Sequence, residues 1–263
     1  MSNIEFNITQ NPTPYPDVNA VLHDLLLGVQ DTLGDYFIGM YLGGSLAAGD
    51  FDLQRSDIDF LVITTDELPE DVVVALQVMH DRIATGRSKW TRELEGCYIS
   101  RQSVRRYDPD KVRYPMIERY DRLSVYDSGP DQVVQRYIIR EKGIILAGPS
   151  PETLIDPVSP DDLHHAVLGI LRKWWIPMLN GPSVQMNGSG YRAYAVLSMC
   201  RILYTLENKR IVSKPIAAEW AKQKLGQPWA STIDCASTWI EGATPVGMNT
   251  ALDIIRYTVG LSR

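Results

Sequence analysis

The chain is poor in cysteine, phenylalanine and histidine, with 3, 4 and 4 among its 263 residues. Cys97, Cys200 and Cys235 are isolated, odd in number and in no metal-like spacing, which argues against a disulfide framework or a zinc site. They read as small core residues. No segment reaches about 18 uninterrupted apolar residues, so no membrane span is indicated. The stretch MSNIEFNITQNPTPYPD lacks a basic start followed by an apolar run, so export is not indicated either and a cytoplasmic location is expected. A net charge of −6 argues against a broad basic surface for nucleic acid. Internal repeats and low-complexity tracts are absent from the sequence.

What is present is an ordinary globular composition, 44% hydrophobic and 22% charged, in a length that allows one large domain or two smaller ones. Two are expected, 1–150 and 151–263. Their charge differs: 15 Lys+Arg against 23 Asp+Glu leave −8 in the first, and 11 against 9 leave +2 in the second. An acidic first half suits a metal or a cationic ligand, and surface solubility explains it as simply.

In the first part, apolar spacing over 18–33 after Pro16-Asp17 predicts a helix, YFIGMYL (36–42) a buried strand, and IDFLVIT (58–64) a second strand. A helix over 67–84 enters through Pro69, and ELEGCYIS (93–100) reads as a third strand. Residues 101–129, rich in Arg, Tyr, Asp and Pro, read as irregular with short elements. A helix and a short strand, 144–146, follow. Beyond this point the pattern is purely helical, beginning with a Ser-capped helix over 159–175 and ending with MNTALDIIRYTVGL. NGPSVQMNGSG (180–190) reads as a flexible linker between two of these helices. The expected fold class is an α+β domain with a small mixed sheet, followed by an all-α helical bundle.

One stretch carries chemistry. GGSLAAGDFDLQRSDIDF (43–60) ends a strand in Gly-Gly-Ser and, after a loop, sets Asp57 and Asp59 at the start of an apolar strand. Residues i and i+2 of a strand share a face, so the two carboxylates lie side by side and repel unless a cation meets them. Mg²⁺ resolves this with one or two carboxylates plus substrate phosphates. Gly44 lets backbone approach a ligand, and N–H groups at the start of a following helix suit phosphate. Taken alone, Asp-x-Asp is more often a solvated strand end; following Gly-Ser by a dozen residues, it is far more specific.

That combination resembles the nucleotidyltransferase superfamily, which implies a third carboxylate on a neighbouring strand. The candidates are Glu93 and Glu95, which share a face, as residues i and i+2 of a strand do. Glu95 is preferred because it adjoins the apolar run; Glu93 is the alternative. Such a carboxylate acts as general base toward a hydroxyl while the metal neutralises charge on the phosphate.

Three segments, SDIDFLV (56–62), LAGPSPETLIDPV (146–158) and AVLSMCRILYTLENKRIVSKPIAAEWA (195–221), narrow the resemblance to the aminoglycoside adenylyltransferases that modify streptomycin and spectinomycin. The resemblance implies a nucleotidyltransferase domain followed by a five-helix bundle, with ATP and drug in the cleft between them. It also implies transfer of AMP from ATP to a drug hydroxyl with release of pyrophosphate. Carried over, Asp57, Asp59 and Glu95 hold Mg²⁺, with Glu95 also the base. Gly44, Ser45, Ser56, Arg201 and Lys214 bind the nucleotide. Tyr191, Arg192 and Tyr194 stand where drug-modifying members carry acids, which counts against a polycation such as streptomycin and leaves spectinomycin or another less charged acceptor. The expected partners are ATP and a small hydroxylated acceptor, with a monomer favoured. A different acceptor, or a nucleotide-binding module without turnover, are the alternatives; ATP binding indifferent to Mg²⁺ marks the last.

Overall fold

Pro16 fixes the first turn of α1 (Pro16–Leu33), and Val18, Leu22, Leu25 and Val29 bury one face of it at three- and four-residue spacing. The computed structural model describes residues 11–262, so most of the N-terminal stretch read for a leader lies outside the described residues. β1 (Phe37–Leu42), the five-residue α2 (Gly44–Ala48), β2 (Ile58–Thr64), α3 (Glu70–Ala84), β3 (Leu94–Ser100) and α4 (Arg101–Arg105) follow. Then come β4 (Arg113–Ile117), β5 (Ser124–Asp127), α5 (Asp131–Lys142) and β6 (Ile144–Ala147).

The six strands form one mixed sheet in the order β5-β4-β3-β2-β1-β6. Only β2 and β3 pair in parallel; α3 makes the crossover that a parallel pair requires. Strand alternation divides the core. Met40, Leu42, Ile58, Phe60, Val62 and Tyr98 join α1 and α3 on one face. Tyr41, Leu61, Ile63, Cys97 and Ile99 face the other way, with Ile139 of α5. Residues 101–129, expected to be irregular with short elements, contain the short helix α4 and two short strands of the sheet. They escape an apolar pattern because β4 contains Pro115 and β5, at the sheet edge, alternates half-buried and exposed residues.

The chain divides into two compact units: residues up to Ser128 with Gln135–Pro157, and Gly129–Val134 with Val158 onward. The segment after β6, through Pro157, stays with the sheet. Tyr41 donates its hydroxyl to the Pro149 carbonyl at 2.8 Å, and Leu154 and Ile155 are buried in the second face of the core.

The second unit is helical. Ser159 caps α6 (Pro160–Ile170) in a reciprocal capping box with Asp162. The helix runs past the expected 175 through a π turn, Leu171–Trp175, into α7 (Ile176–Asn180). Pro177 lies just beyond the widened turn; lacking an N–H and crowding the carbonyl four residues back, it favours such a departure from α geometry. α8 (Ser189–Asn208) is the central element, with Ala195, Val196, Met199 and Cys200 fully buried against α9 (Lys214–Leu225), α10 (Trp229–Ser237) and α11 (Met248–Leu261). Segment 180–190 is not a free linker: Met186 is fully buried within it, and Arg192 donates to the carbonyls of Met186 (2.9 Å) and Asn187 (2.8 Å). No described helix is long and apolar enough to cross a membrane.

Candidate active site

The end of β1 and the starts of β2 and β3 bring the acidic motif together. Gly43 N–H donates to the Asp59 carbonyl at 2.9 Å, which seats the turn on β2. Gly44 has φ +51°, and a Cβ placed on it would lie 1.6 Å from Asp59 Oδ2. Only glycine satisfies both conditions. The Asp59 carboxylate therefore lies directly against the Gly44 backbone.

At the first turn of α2, the N–H groups of Gly44, Ser45 and Leu46 have no acceptor within the helix. The Ser45 hydroxyl is buried with no hydrogen-bond partner among the described residues. An orphaned hydroxyl normally costs about 1–3 kcal/mol, and an incoming oxygen ligand would relieve it.

Asp57 precedes β2 and Asp59 is its second residue; both are half-buried. Asp59 pairs in register with Glu95, also half-buried, so the two side chains occupy neighbouring positions on one sheet face. That face otherwise carries Leu61, Ile63, Cys97 and Ile99, which makes the acids its polar end. No three His, Cys, Asp or Glu side chains among the described residues converge closely enough to hold a metal ion by themselves.

Glu93 does not share the face of Glu95. Its backbone, φ −97° and ψ 17°, ends the 3₁₀ turn Lys89–Arg92, so strand alternation begins only after it. Its side chain is buried and engaged: Oε1 accepts from the Tyr120 hydroxyl, and Oε2 meets Arg119 Nε as an ion pair lacking hydrogen-bond alignment. Neither Arg119 nor Tyr120 was recognisable from sequence, because they fall in the segment without a readable pattern. Tyr120 has φ +64°, a backbone state no composition signals.

Ser56 closes the loop locally. Its Oγ accepts from Asp52 N–H at 2.9 Å, and its own N–H donates to the Asp52 carbonyl at 2.9 Å, closing the loop before the acids. Arg55 pairs with the Asp52 carboxylate at 2.6 Å and pins the same loop.

Arg201 and Lys214 belong to the helical unit. Arg201, half-buried on α8, has no acidic partner among the described residues. Lys214 opens α9, and its Nζ sits 4.4 Å from the centroid of the Tyr194 ring. Trp175 is buried beneath Tyr191 and Tyr194, with ring centroids 6.4 and 6.1 Å away, while Trp174 is half exposed and donates Nε1–H to the Tyr191 hydroxyl at 3.0 Å. Arg192, expected to meet the acceptor, also donates to the Val246 carbonyl at 2.6 Å, so its guanidinium binds three backbone carbonyls.

A Gly-Ser turn packed on an Asp-x-Asp strand, with an acid in register on the next strand of a mixed sheet, defines a nucleotidyltransferase, and residues 29–124 match the nucleotidyltransferase domain family. Residues 153–259 match the family described as aminoglycoside adenylyltransferase, C-terminal domain. The chain thus carries a nucleotidyltransferase domain followed by the C-terminal domain of the aminoglycoside adenylyltransferases, and is an enzyme.

Among its relatives, an aminoglycoside (3'') (9) adenylyltransferase of Shigella flexneri is 26% identical over 226 residues, covering 82% of this chain and 83% of the relative. A spectinomycin 9-adenylyltransferase of Staphylococcus aureus is 25% identical over 228 residues, covering 81% and 82%. The fold matches the crystal structure of spectinomycin adenyltransferase AAD(9) from Enterococcus faecialis with ATP and spectinomycin. The TM-score is 0.74 at 15% identity, covering 92% of this chain and 98% of that one.

Proposed function

We propose that the enzyme transfers AMP from ATP, with Mg²⁺, to a hydroxyl of an aminoglycoside or aminocyclitol antibiotic and releases pyrophosphate. The observation that carries this reading is the buried, unpartnered Ser45 hydroxyl beside a glycine whose backbone touches the Asp59 carboxylate. A phosphate oxygen accepts from that hydroxyl and from the free N–H groups of the α2 turn.

The donor set fits Mg²⁺, which takes hard oxygen ligands and needs only one or two protein carboxylates when phosphates complete its shell. A site without three converging protein acids is consistent with that chemistry. Asp57 and Asp59 would hold the ion, with Glu95 in support; the ion supplies charge neutralisation on the transferring phosphate. Glu95, in register with Asp59 on the same sheet face, accepts the proton of the attacking hydroxyl. Arg201 and Lys214 supply positive charge toward the triphosphate.

The relatives named for spectinomycin and aminoglycosides support this class of acceptor. Within the class, Tyr191, Arg192 and Tyr194 stand where drug-modifying members carry acids, and the lack of a counter-charge there favours an acceptor of low positive charge. Spectinomycin is the first choice and streptomycin the weaker one.

Pyrophosphate release from ATP, assayed with Mg²⁺ or EDTA and with each drug in turn, tests the reading. Release is expected with spectinomycin and Mg²⁺ only, and Glu95→Gln is expected to abolish it while MgATP binding stays within roughly tenfold. Full turnover by Glu95→Gln would remove the base assignment. Tight MgATP binding without release for any drug would move the enzyme to another acceptor.

A further inference from the structure

Two costly features meet where β2 and β3 begin. Glu93 is only 6% exposed, and a buried carboxylate is unfavourable unless its charge is paired. Tyr120 holds φ +64°, a strained conformation for an aromatic residue, yet it is 67% exposed and so gains little from burial.

Each feature accounts for the other. Tyr120 N–H donates to the Arg92 carbonyl at 3.0 Å, and in that pose its hydroxyl reaches Glu93 Oε1. Arg119 places its guanidinium against Glu93 Oε2 and 5.2 Å from the centroid of the Tyr120 ring. Meanwhile the Glu93 carbonyl accepts the Ile58 N–H at 2.7 Å, and Ile58 stands between Asp57 and Asp59. One residue thus fastens the loop after β4 by its side chain and the Asp-x-Asp strand by its backbone. Sheet pairing uses only that backbone carbonyl, so the buried acid and the strained tyrosine need a different reason.

We infer that Glu93, Arg119 and Tyr120 form a positioning unit that fixes the spacing between Asp57 and Asp59 on one strand and Glu95 on the next. The inference rests on the proposed roles of those acids. None of the three residues is a catalytic residue; they act through the junction they immobilise.

The test uses the full-length enzyme carrying Tyr120→Phe, which removes only the hydroxyl, together with Arg119→Gln, Arg119→Lys and Glu93→Gln. Hydrogen exchange at the Ile58 amide, thermal melting, and kcat and KM for ATP are measured on each. For Tyr120→Phe, Ile58 exchange is expected to rise about tenfold or more while the melting temperature moves by only a few degrees. Its kcat is expected to fall about tenfold with KM for ATP within about twofold, the pattern of lost transition-state geometry rather than lost binding. Arg119→Lys recovers part of what Arg119→Gln loses. Unchanged Ile58 exchange and kcat in Tyr120→Phe overturn the inference even if Glu93→Gln fails to fold. So do losses that track melting temperature alone, because a purely structural contact predicts them. Ile58 exchange needs neither metal nor acceptor, so this arm reports on the unit even if no drug is adenylylated, and the two readings fail separately.

Discussion

Gly44 joins a backbone requirement to an electrostatic one, since its positive φ and its contact with Asp59 Oδ2 each exclude a side chain. Gly44→Ala is therefore expected to lose MgATP affinity by about tenfold or more and to destabilise the fold by about 1–2 kcal/mol. Calorimetric titration and urea unfolding check the two effects; wild-type affinity in this variant would detach the turn from the nucleotide. This part of the site was legible in the sequence because glycine, serine and paired aspartates are chemically unusual next to an apolar strand. The choice between Glu93 and Glu95 was only half legible. Adjacency to the apolar run pointed to Glu95, but counting by twos put both acids on one face, and only the backbone turn at Glu93 separates them. Arg192 shows the same limit: its charge is visible in the sequence, while the three carbonyls it binds come from positions 186, 187 and 246.

At the scale of elements, α3 and β3 enclose a buried pair. His80, 2% exposed, bonds the Tyr98 hydroxyl through Nε2 at 2.7 Å and stacks on Phe60, while its Nδ1 has no partner among the described residues. Burial holds its pKa down at about 4, against an opposing pull from Asp81. The unfolded chain takes up this proton below about pH 6.5 and the folded one only near 4, so the imidazole's contribution is complete above 6.5 and is lost as pH falls to 4. Stability is expected to drop by roughly 2 kcal/mol from this group between pH 7 and 5. His80→Gln, which keeps a hydrogen-bonding group toward Tyr98 but cannot titrate, should flatten that part of the urea-unfolding profile. An equally steep profile in the variant would assign the acid sensitivity elsewhere. The strands and helices that the sequence announced, among them β1 to β3, α1, α3, α5, α6 and α8 to α11, carry an apolar pattern or a capping signal of their own. The ones it hid, β4 and β5, are short, polar and held by pairing with a neighbour rather than by a pattern of their own.

For the molecule as a whole, the two units correspond to two kinds of sequence signal. Residues 29–124 and 153–259 match separate domain families, and the expected change from mixed to purely helical pattern was readable because the periodicity itself changes. β6 and the turn after it carry few residues and owe their place to contacts with β1 and Tyr41, which no local pattern announces. A ligand that binds only the folded chain stabilises all of it. MgATP at about 100 times its Kd should contribute ~2.7 kcal/mol and raise Tm by roughly 5–10 °C. The rise is expected to shrink with EDTA and to be largely lost in Asp57→Asn. An undiminished shift in EDTA would take the metal out of nucleotide binding.

Asp59 and Glu95 are side by side in space yet thirty-six residues apart in the chain, joined only through the parallel pairing of β2 with β3. The β1–β2 hairpin can close locally and already holds the glycine turn and both aspartates. It cannot recruit its third acid until the α3 crossover has closed a long loop, at an entropic cost a hairpin does not meet. On the proposed roles of these acids, a chain interrupted between β2 and residue 95 retains the recognisable motif and lacks its third acid, which makes the β2–β3 pairing a requirement alongside any single carboxylate.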